Sequence, residues 1–272
     1  MDGLNVLSVF DGMSCGQIAL ERAGIEVNKY YASEVDKYAI KVTQENYPRT
    51  EQVGDIALAS RKEVYKKTNG HLDIRGNIFL DIDLLIGGSP CQDLSQAGKG
   101  KGLYGERSGL FWEYVRLKNE LQPKYFLLEN VRMKKEYQDV ISEALGVEPV
   151  VINSDLFVCQ NRPRLYWTNI PIAPLPERPD WNEQYYQWRR TYYRDNKSGV
   201  CPTLTANMGT GGHNIPLHSE DKSDKLSINE LEVLQGVLKG YIKGVSNSQA
   251  AKMLGNGFTV DVIAHILKGM EL

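Results

Sequence analysis

Four short apolar runs, Leu4 to Phe10, Lys29 to Ser33, Ile82 to Ile86 and Tyr125 to Leu128, alternate with stretches of helical periodicity through the first half of the chain. Parallel neighbours in a sheet need a long crossover, and a helix supplies it, so this alternation specifies successive βαβ units. The expected product is an α/β domain: a mostly parallel sheet with helices on both faces, and ligands bound at the carboxyl edge of the strands. The segments that follow each apolar run are therefore where chemistry is expected.

The pattern stops near Ile170. Pro171, Pro174, Pro176 and Pro179 follow closely, and Met208 to Asn214 is rich in glycine, so 171–226 reads as a separate lobe. Helical periodicity returns over Ile228 to Leu238 and again over Ser248 to Leu267, interrupted at Gly255-Asn256-Gly257. The chain thus divides into a main domain over 1–170, the lobe, and a helical return over 227–272 that completes the first domain. Lys66 to Leu80 stands as an insertion. At 272 residues with 42% hydrophobic content, one substantial core plus a smaller lobe is what the chain can bury.

Charge and cysteine usage narrow the classes. A net charge of -2 gives no global attraction to nucleic acid, so any such partner must meet a local basic patch. The four cysteines, at 15, 91, 159 and 201, form no CxxC pair, and the four histidines, at 71, 213, 218 and 265, lack zinc spacing, so no metal is expected. No apolar stretch approaches the ~20 residues that span a bilayer, and no leader segment is evident. The expectation is a cytoplasmic protein with reduced thiols and no membrane association.

Phe10 to Gly16 follows the first strand, and its glycines suit a tight turn that lets a ligand approach the backbone; an ordinary strand-to-helix turn fits these residues equally. Ser33-Glu34-Val35-Asp36 ends the second run, placing a carboxylate where it can accept both hydroxyls of a ribose, and Asp55 before Ile56 suits an adenine amino group. Solvated surface acids fit both positions too. Gly87-Gly88-Ser89-Pro90-Cys91-Gln92 puts a thiol on a rigid turn after a strand. Reactivity there needs the thiolate, which facing amides or cations favour; an inert buried cysteine is the alternative. Asp93 to Ser108, with Lys99, Lys101 and Arg107, reads as a lid or as a plain surface loop. Glu129, in Leu127-Leu128-Glu129-Asn130-Val131, ends an apolar run, a setting that suits a carboxyl sharing a proton with a ring nitrogen, or one serving a helix N-terminus. In Gln160-Asn161-Arg162-Pro163-Arg164, alternation aims Arg162 and Arg164 the same way, as for anion or carbonyl binding, or for surface salt bridges.

Taken in order, Phe10 to Gly16, Glu34, Asp55, Pro90-Cys91-Gln92, Glu129-Asn130-Val131, Arg162-Pro163-Arg164, Leu234-Gln235-Gly236 and Gly255-Asn256-Gly257 resemble the motifs of the DNA cytosine-5 methyltransferase family. Phe10-Asp11-Gly12 with Ser14 and Gly16, Ala32-Ser33-Glu34-Val35 and Gly87-Gly88-Ser89-Pro90-Cys91 look like the animal de novo branch, whereas the length looks microbial or viral. The resemblance implies a Rossmann-like, S-adenosylmethionine-dependent methyltransferase sheet with a small target-recognition lobe. It implies a cofactor pocket of Phe10, Glu34, Asp55, Pro90, Leu110 and Asn256, extended by Asp11, Gly12, Ser14, Gly16, Val35, Ile56 and Gly257. It further implies a flipped cytosine in double-stranded DNA, attacked at C6 by Cys91, supported at N3 by Glu129 and held by Arg162 and Arg164. A monomer is favoured, and a restriction-modification system is the expected setting, with the restriction partner left open.

In the lobe, Thr203 to Asn207 would face DNA, with Arg178, Arg189, Arg190 and Arg194 supplying charge among Tyr185, Tyr186, Trp188, Tyr192 and Tyr193. Four positions depart from the family pattern: Ser14, Ser89, Asn229 before Glu230, and Gly257-Phe258. The change before Glu230 predicts weaker packing of the lobe. A tRNA cytosine-5 methyltransferase and a catalytically silent DNA-binding homologue are the competing readings.

Overall fold

The computed structural model describes residues 3–57, 71–72, 78–79, 82–89, 109–189, 192–196, 198–208 and 213–271. Each apolar run becomes a strand: β1 (Leu4–Val9), β2 (Val27–Ser33), β6 (Leu84–Gly88) and β7 (Tyr125–Val131). With β3 (Glu51–Gln52), β8 (Val150–Asn153) and β10 (Pro163–Thr168) they form a seven-stranded sheet in the order β3-β2-β1-β6-β7-β10-β8. All pairings from β3 to β7 are parallel, and β10 runs against both β7 and β8. Within the insertion, β4 (His71–Leu72) and β5 (Ile78–Phe79) pair antiparallel with each other.

Strand alternation sends neighbouring side chains to opposite faces, and each face has its own core. Val6, Leu84, Ile86 and Leu127 join one apolar cluster; Leu7, Val9, Leu85 and Leu128 join the other. The first is covered by α1 (Cys15–Ala23), α2 (Lys37–Asn46) and the C-terminal helices α6 (Asn247–Asn256) and α7 (Val260–Leu267). The second is covered by α3 (Leu110–Leu121) and α4 (Lys135–Leu145), with Trp167 buried among them. Helices thus cover both faces of a mostly parallel sheet.

The C-terminal return is bolted on by polar contacts as well as by burial. Arg22 meets Asp261 at 2.6 Å, Lys252 meets Asp36 at 2.7 Å, and the Tyr241 hydroxyl donates to the Met13 carbonyl at 2.7 Å. Between Ile228 and Leu238 the helix α5 (Ile228–Leu234) is shorter than periodicity predicts, because Gly236 turns left-handed at φ 75°. Glu232, fully buried, accepts the amides of Gly240 and Ile242 and fixes the turn that follows. Gly255 does not interrupt α6; the break comes between it and α7, after Asn256.

Over 171–226, β11 (Tyr186–Arg189), β12 (Tyr192–Asp195) and β14 (His213–Leu217) form a three-stranded antiparallel sheet. The segment β13 (Cys201–Pro202) instead pairs with β9 (Gln160–Asn161). Tyr185, Cys201, Leu204 and Met208 bury their side chains in the first core cluster, so this region shares the apolar interior of the main sheet. The residue before Glu230 is Asn229, but Glu230 still ties this region down: it caps α5 through Ser227 and meets His218 at 3.0 Å.

Candidate active site

The carboxyl ends of β1, β2, β6 and β7 open on one edge, and the turn after β1 is built for close approach. Phe10, Gly12 and Ser14 all adopt left-handed backbone, at φ 57°, 60° and 61°. Such strain in residues other than glycine persists only where surroundings enforce it, and a buried polar network does so. Asp11 is 5% exposed; its carboxylate accepts from the Tyr30 hydroxyl at 2.7 Å and from the Ser14 hydroxyl. Gln17 donates to both Ser14 and Thr50, and Thr43 donates to Ser14 at 3.2 Å. Gly16 has no room for a side chain, since a Cβ there would lie 2.7 Å from the Tyr30 hydroxyl. Asp11, Ser14 and Gly16 therefore sit beneath the turn and shape it.

Burial pushes the Asp11 carboxyl up to about 6, against the hydrogen bonds from Ser14 and Tyr30 that favour the ionised form. A carboxyl whose folded pKa lies above its unfolded one binds more protons in the folded state between those values, so it destabilises the fold as pH rises. Its contribution is fully favourable below about 4 and is lost as pH passes about 6. Asp11→Asn keeps the hydrogen-bonding shape and cannot ionise. Relative to that variant, the native protein is expected to lose on the order of 2–3 kcal/mol of unfolding free energy between pH 4 and pH 7. Parallel denaturant titrations of the two proteins across that range check this.

Above the turn lies open space: a Cβ built on Gly12 meets nothing within 4 Å. The Glu34 carboxylate, at the tip of β2, accepts the Gly12 amide at 2.8 Å and the amides of Val35 and Asp36 at 2.7 and 2.8 Å. It thereby locks the tips of two strands together. Val35 beside it is 70% exposed, an apolar side chain standing open at this edge. Asp55, after β3, is exposed and accepts the Ala57 amide at 2.9 Å, whereas the Ile56 side chain is buried in the second core cluster. Leu110 opens α3 and is partly buried in that cluster; Asn256, at the end of α6, is exposed.

Glu129 and Arg164 form an ion pair at 3.0 Å, their side chains 13% and 12% exposed. The carboxylate thus meets a guanidinium on the antiparallel neighbour strand instead of an apolar wall. Gly88, directly across from it in the register, must be glycine: a Cβ would lie 2.9 Å from the Phe258 ring and 3.3 Å from a Glu129 oxygen. The Phe258 departure is thus accommodated by the bare backbone of β6.

Arg162 does not converge with Arg164 on a shared ligand. It lies in the connection between β9 and β10, is 3% exposed, and donates Nη1 to the Leu204 carbonyl at 2.8 Å and Nη2 to those of Gly255 and Gly257, each at 3.0 Å. Burial and the neighbouring Arg164 bring its pKa down to about 9, with Glu129 opposing, so it remains a cation at neutral pH. Main-chain carbonyls from distant segments set its direction.

Several residues at this edge went unread in the sequence. Gln160 donates to the Leu234 carbonyl and to Gln235, and accepts the Leu204 amide; Gln235 donates to the Gly257 carbonyl at 2.6 Å. Asn130, 1% exposed, donates to Ser89 Oγ at 2.9 Å, a bond that a proline at position 89 could not accept. The signal available was amides placed inside otherwise apolar, motif-bearing stretches. Pro90, Cys91 and Gln92, the lid reading of 93–108, and Arg190 lie outside the described residues. Among the described residues no cluster suited to a metal ion and no helix long and apolar enough to cross a membrane is found.

Comparison with known proteins places this arrangement. The model of the family described as C-5 cytosine-specific DNA methylase matches residues 4–173 and 167–271. The chain is 30% identical over 325 aligned positions to the Type II methyltransferase M.Bsp6I of Bacillus sp. (strain RFL6), covering 98% of each protein. It is 35% identical to the orphan methyltransferase M.SPRI of Bacillus phage SPR, over 67% of this chain and 41% of that one. Among solved structures, a DNA modification methyltransferase described as putative, encoded within a prophage of E. coli, superposes with a TM-score of 0.72 at 20% identity, covering 98% of each chain. The S. pombe Dnmt2 methyltransferase gives 0.69 at 16% identity, over 97% of each.

Proposed function

Because the chain belongs to the C-5 cytosine-specific DNA methylase family, we propose that its carboxyl edge methylates C5 of a cytosine flipped out of double-stranded DNA, through a covalent adduct on Cys91. The chain is a DNA cytosine-5 methyltransferase; the methyl donor, the residue roles and the adduct are the proposal. The observation that carries the assignment of roles is the Glu129 and Arg164 pair, with Glu129 directly across from the glycine-lined end of β6.

The residues present fit S-adenosylmethionine as donor. The strained turn with open space over Gly12 suits close approach of a ligand, Glu34 and Asp55 suit the hydroxyls and amino group of an adenosine, and the uncovered Val35 with Phe10 suits its ring. Pro90, Leu110, Asn256 and Gly257 complete the pocket. When bound, this cofactor supplies an electrophilic methyl group, carried on a sulfonium, to C5.

The chain's own residues do the rest. Cys91 thiolate adds to C6, and the electron pair displaced from the C5–C6 bond makes C5 nucleophilic. Glu129 shares a proton with N3 as that charge develops, and Arg164 holds both Glu129 and the base. After methylation the C5 proton passes to water, the C5–H bond pair forms the C5–C6 double bond, and the C6–S pair leaves with sulfur as Cys91 thiolate. Extrusion of the base is required because attack is perpendicular to a ring otherwise covered by its stacked neighbours. The region 171–226 serves as the recognition lobe, 1–170 and 227–272 form the catalytic domain, and the Type II relatives point to a modification role in a restriction-modification setting.

A duplex carrying 5-fluorocytosine tests the adduct, since fluorine at C5 cannot leave as a proton does. With S-adenosylmethionine present, the native protein is expected to form a complex with this DNA that survives denaturing electrophoresis, and Cys91→Ala none. A complex of equal yield with the variant contradicts the role given to Cys91.

A further inference from the structure

On the reading that DNA is the substrate, the geometry points to the recess between β11 and the Thr203–Thr205 segment as the reader of a guanine in the recognised sequence, through Arg189, Arg194 and Gln187. The recess encloses about 220 Å³. Alternation puts Gln187 and Arg189 on one face of β11, and the register sets Arg194 opposite Gln187, on the same face. The other face is closed: Trp188 packs edge-on against Tyr193 at 4.8 Å, and Lys222 lies over the Trp188 ring at 4.7 Å.

Gln187 is only 8% exposed and lines the recess, yet its amide has no hydrogen-bond partner among the described residues. An amide that lines a recess with its donor and acceptor open can pair with a ligand seated there. Neither Arg189 nor Arg194 has a carboxylate partner among the described residues, and Asp195, the one acid at the rim, alternates to the opposite face of β12. Asn214, also at the rim, holds a left-handed backbone at φ 55°.

The far wall is fixed to the catalytic edge. Thr203 donates to the Asn161 carbonyl at 2.6 Å, and Leu204 is held by both Gln160 and Arg162. A base edge seated here is therefore held in register with the reaction centre.

Guanidiniums only donate, and among the bases guanine alone presents two adjacent acceptors, O6 and N7, in the major groove. Adenine pairs an acceptor with a donor, and cytosine offers a donor. Two guanidiniums on one face therefore select guanine, while the Gln187 amide, giving and accepting, completes the edge.

The test is bisulfite sequencing of a mixed-sequence duplex pool methylated by the native protein, Arg189→Gln, Arg194→Gln and Gln187→Ala, each also checked by thermal melting. The native contexts are expected to contain a fixed guanine, and Arg189→Gln is expected to relax the preference at that position about ten- to hundredfold with other positions unchanged. Arg194→Gln, at an exposed site, reports the same position if Arg189→Gln fails to fold. A uniform loss across all contexts, as a phosphate contact gives, overturns the inference, as does a fixed adenine or an unchanged preference. Absence of methylation by the native protein overturns the functional reading beneath it.

Discussion

Replacing Arg162 by methionine is expected to lower the unfolding free energy by about 3–5 kcal/mol, the range for breaking a buried charged contact and stranding its partners. The side chain bridges Leu204 to Gly255 and Gly257, two segments far from it and from each other in sequence. Methionine fills the volume but leaves the Leu204 and Gly255 carbonyls without this donor, while Gly257 keeps only Gln235. Gly255 shows how close the packing is: a Cβ there would fall 2.2 Å from the Thr205 carbonyl carbon. The variant should also expose the Thr203 to Asn207 segment to hydrogen exchange before the sheet. Denaturant unfolding with exchange measures both, and a loss under about 1 kcal/mol contradicts the role assigned to Arg162.

Glu129→Gln is expected to cut kcat by about 10²- to 10⁴-fold, the usual worth of a positioned proton-transfer group. Glutamine keeps an oxygen for Arg164, which lies 3.0 Å from the native carboxylate, so the fold and the affinity for S-adenosylmethionine should hold. Steady-state kinetics, with cofactor binding measured calorimetrically, separates the effects. A loss under tenfold, or a loss confined to cofactor affinity, assigns the proton to another group.

The sheet was legible because each of its parallel central strands is an apolar run between helical stretches, and the carboxyl edge followed from parallel topology alone. The edge strand β8 escaped notice: Val150 and Val151 are 40% and 53% exposed, and so short a run carries no burial signal. Glu34, Asp55 and Glu129 were legible as acids ending strands. Arg162 was misread because alternation was carried back from Leu165 past the start of β10, whereas carbonyls more than forty positions away fix its side chain. Gln160 and Gln235 stood inside motif-bearing stretches, but their roles were not legible, since a neutral amide looks alike in sequence whether it faces water or bridges distant segments. The lobe's strands were hidden for a related reason: β13 pairs with β9, not with a sequence neighbour.

The central claim is tested most directly by incubating the purified protein with tritiated S-adenosylmethionine and either mixed-sequence duplex DNA or tRNA, then locating modified cytosines by bisulfite sequencing. The account predicts label in duplex DNA, at cytosines in one short context, and none in tRNA. Label in tRNA alone, or no transfer to DNA by a protein that binds the cofactor, contradicts it.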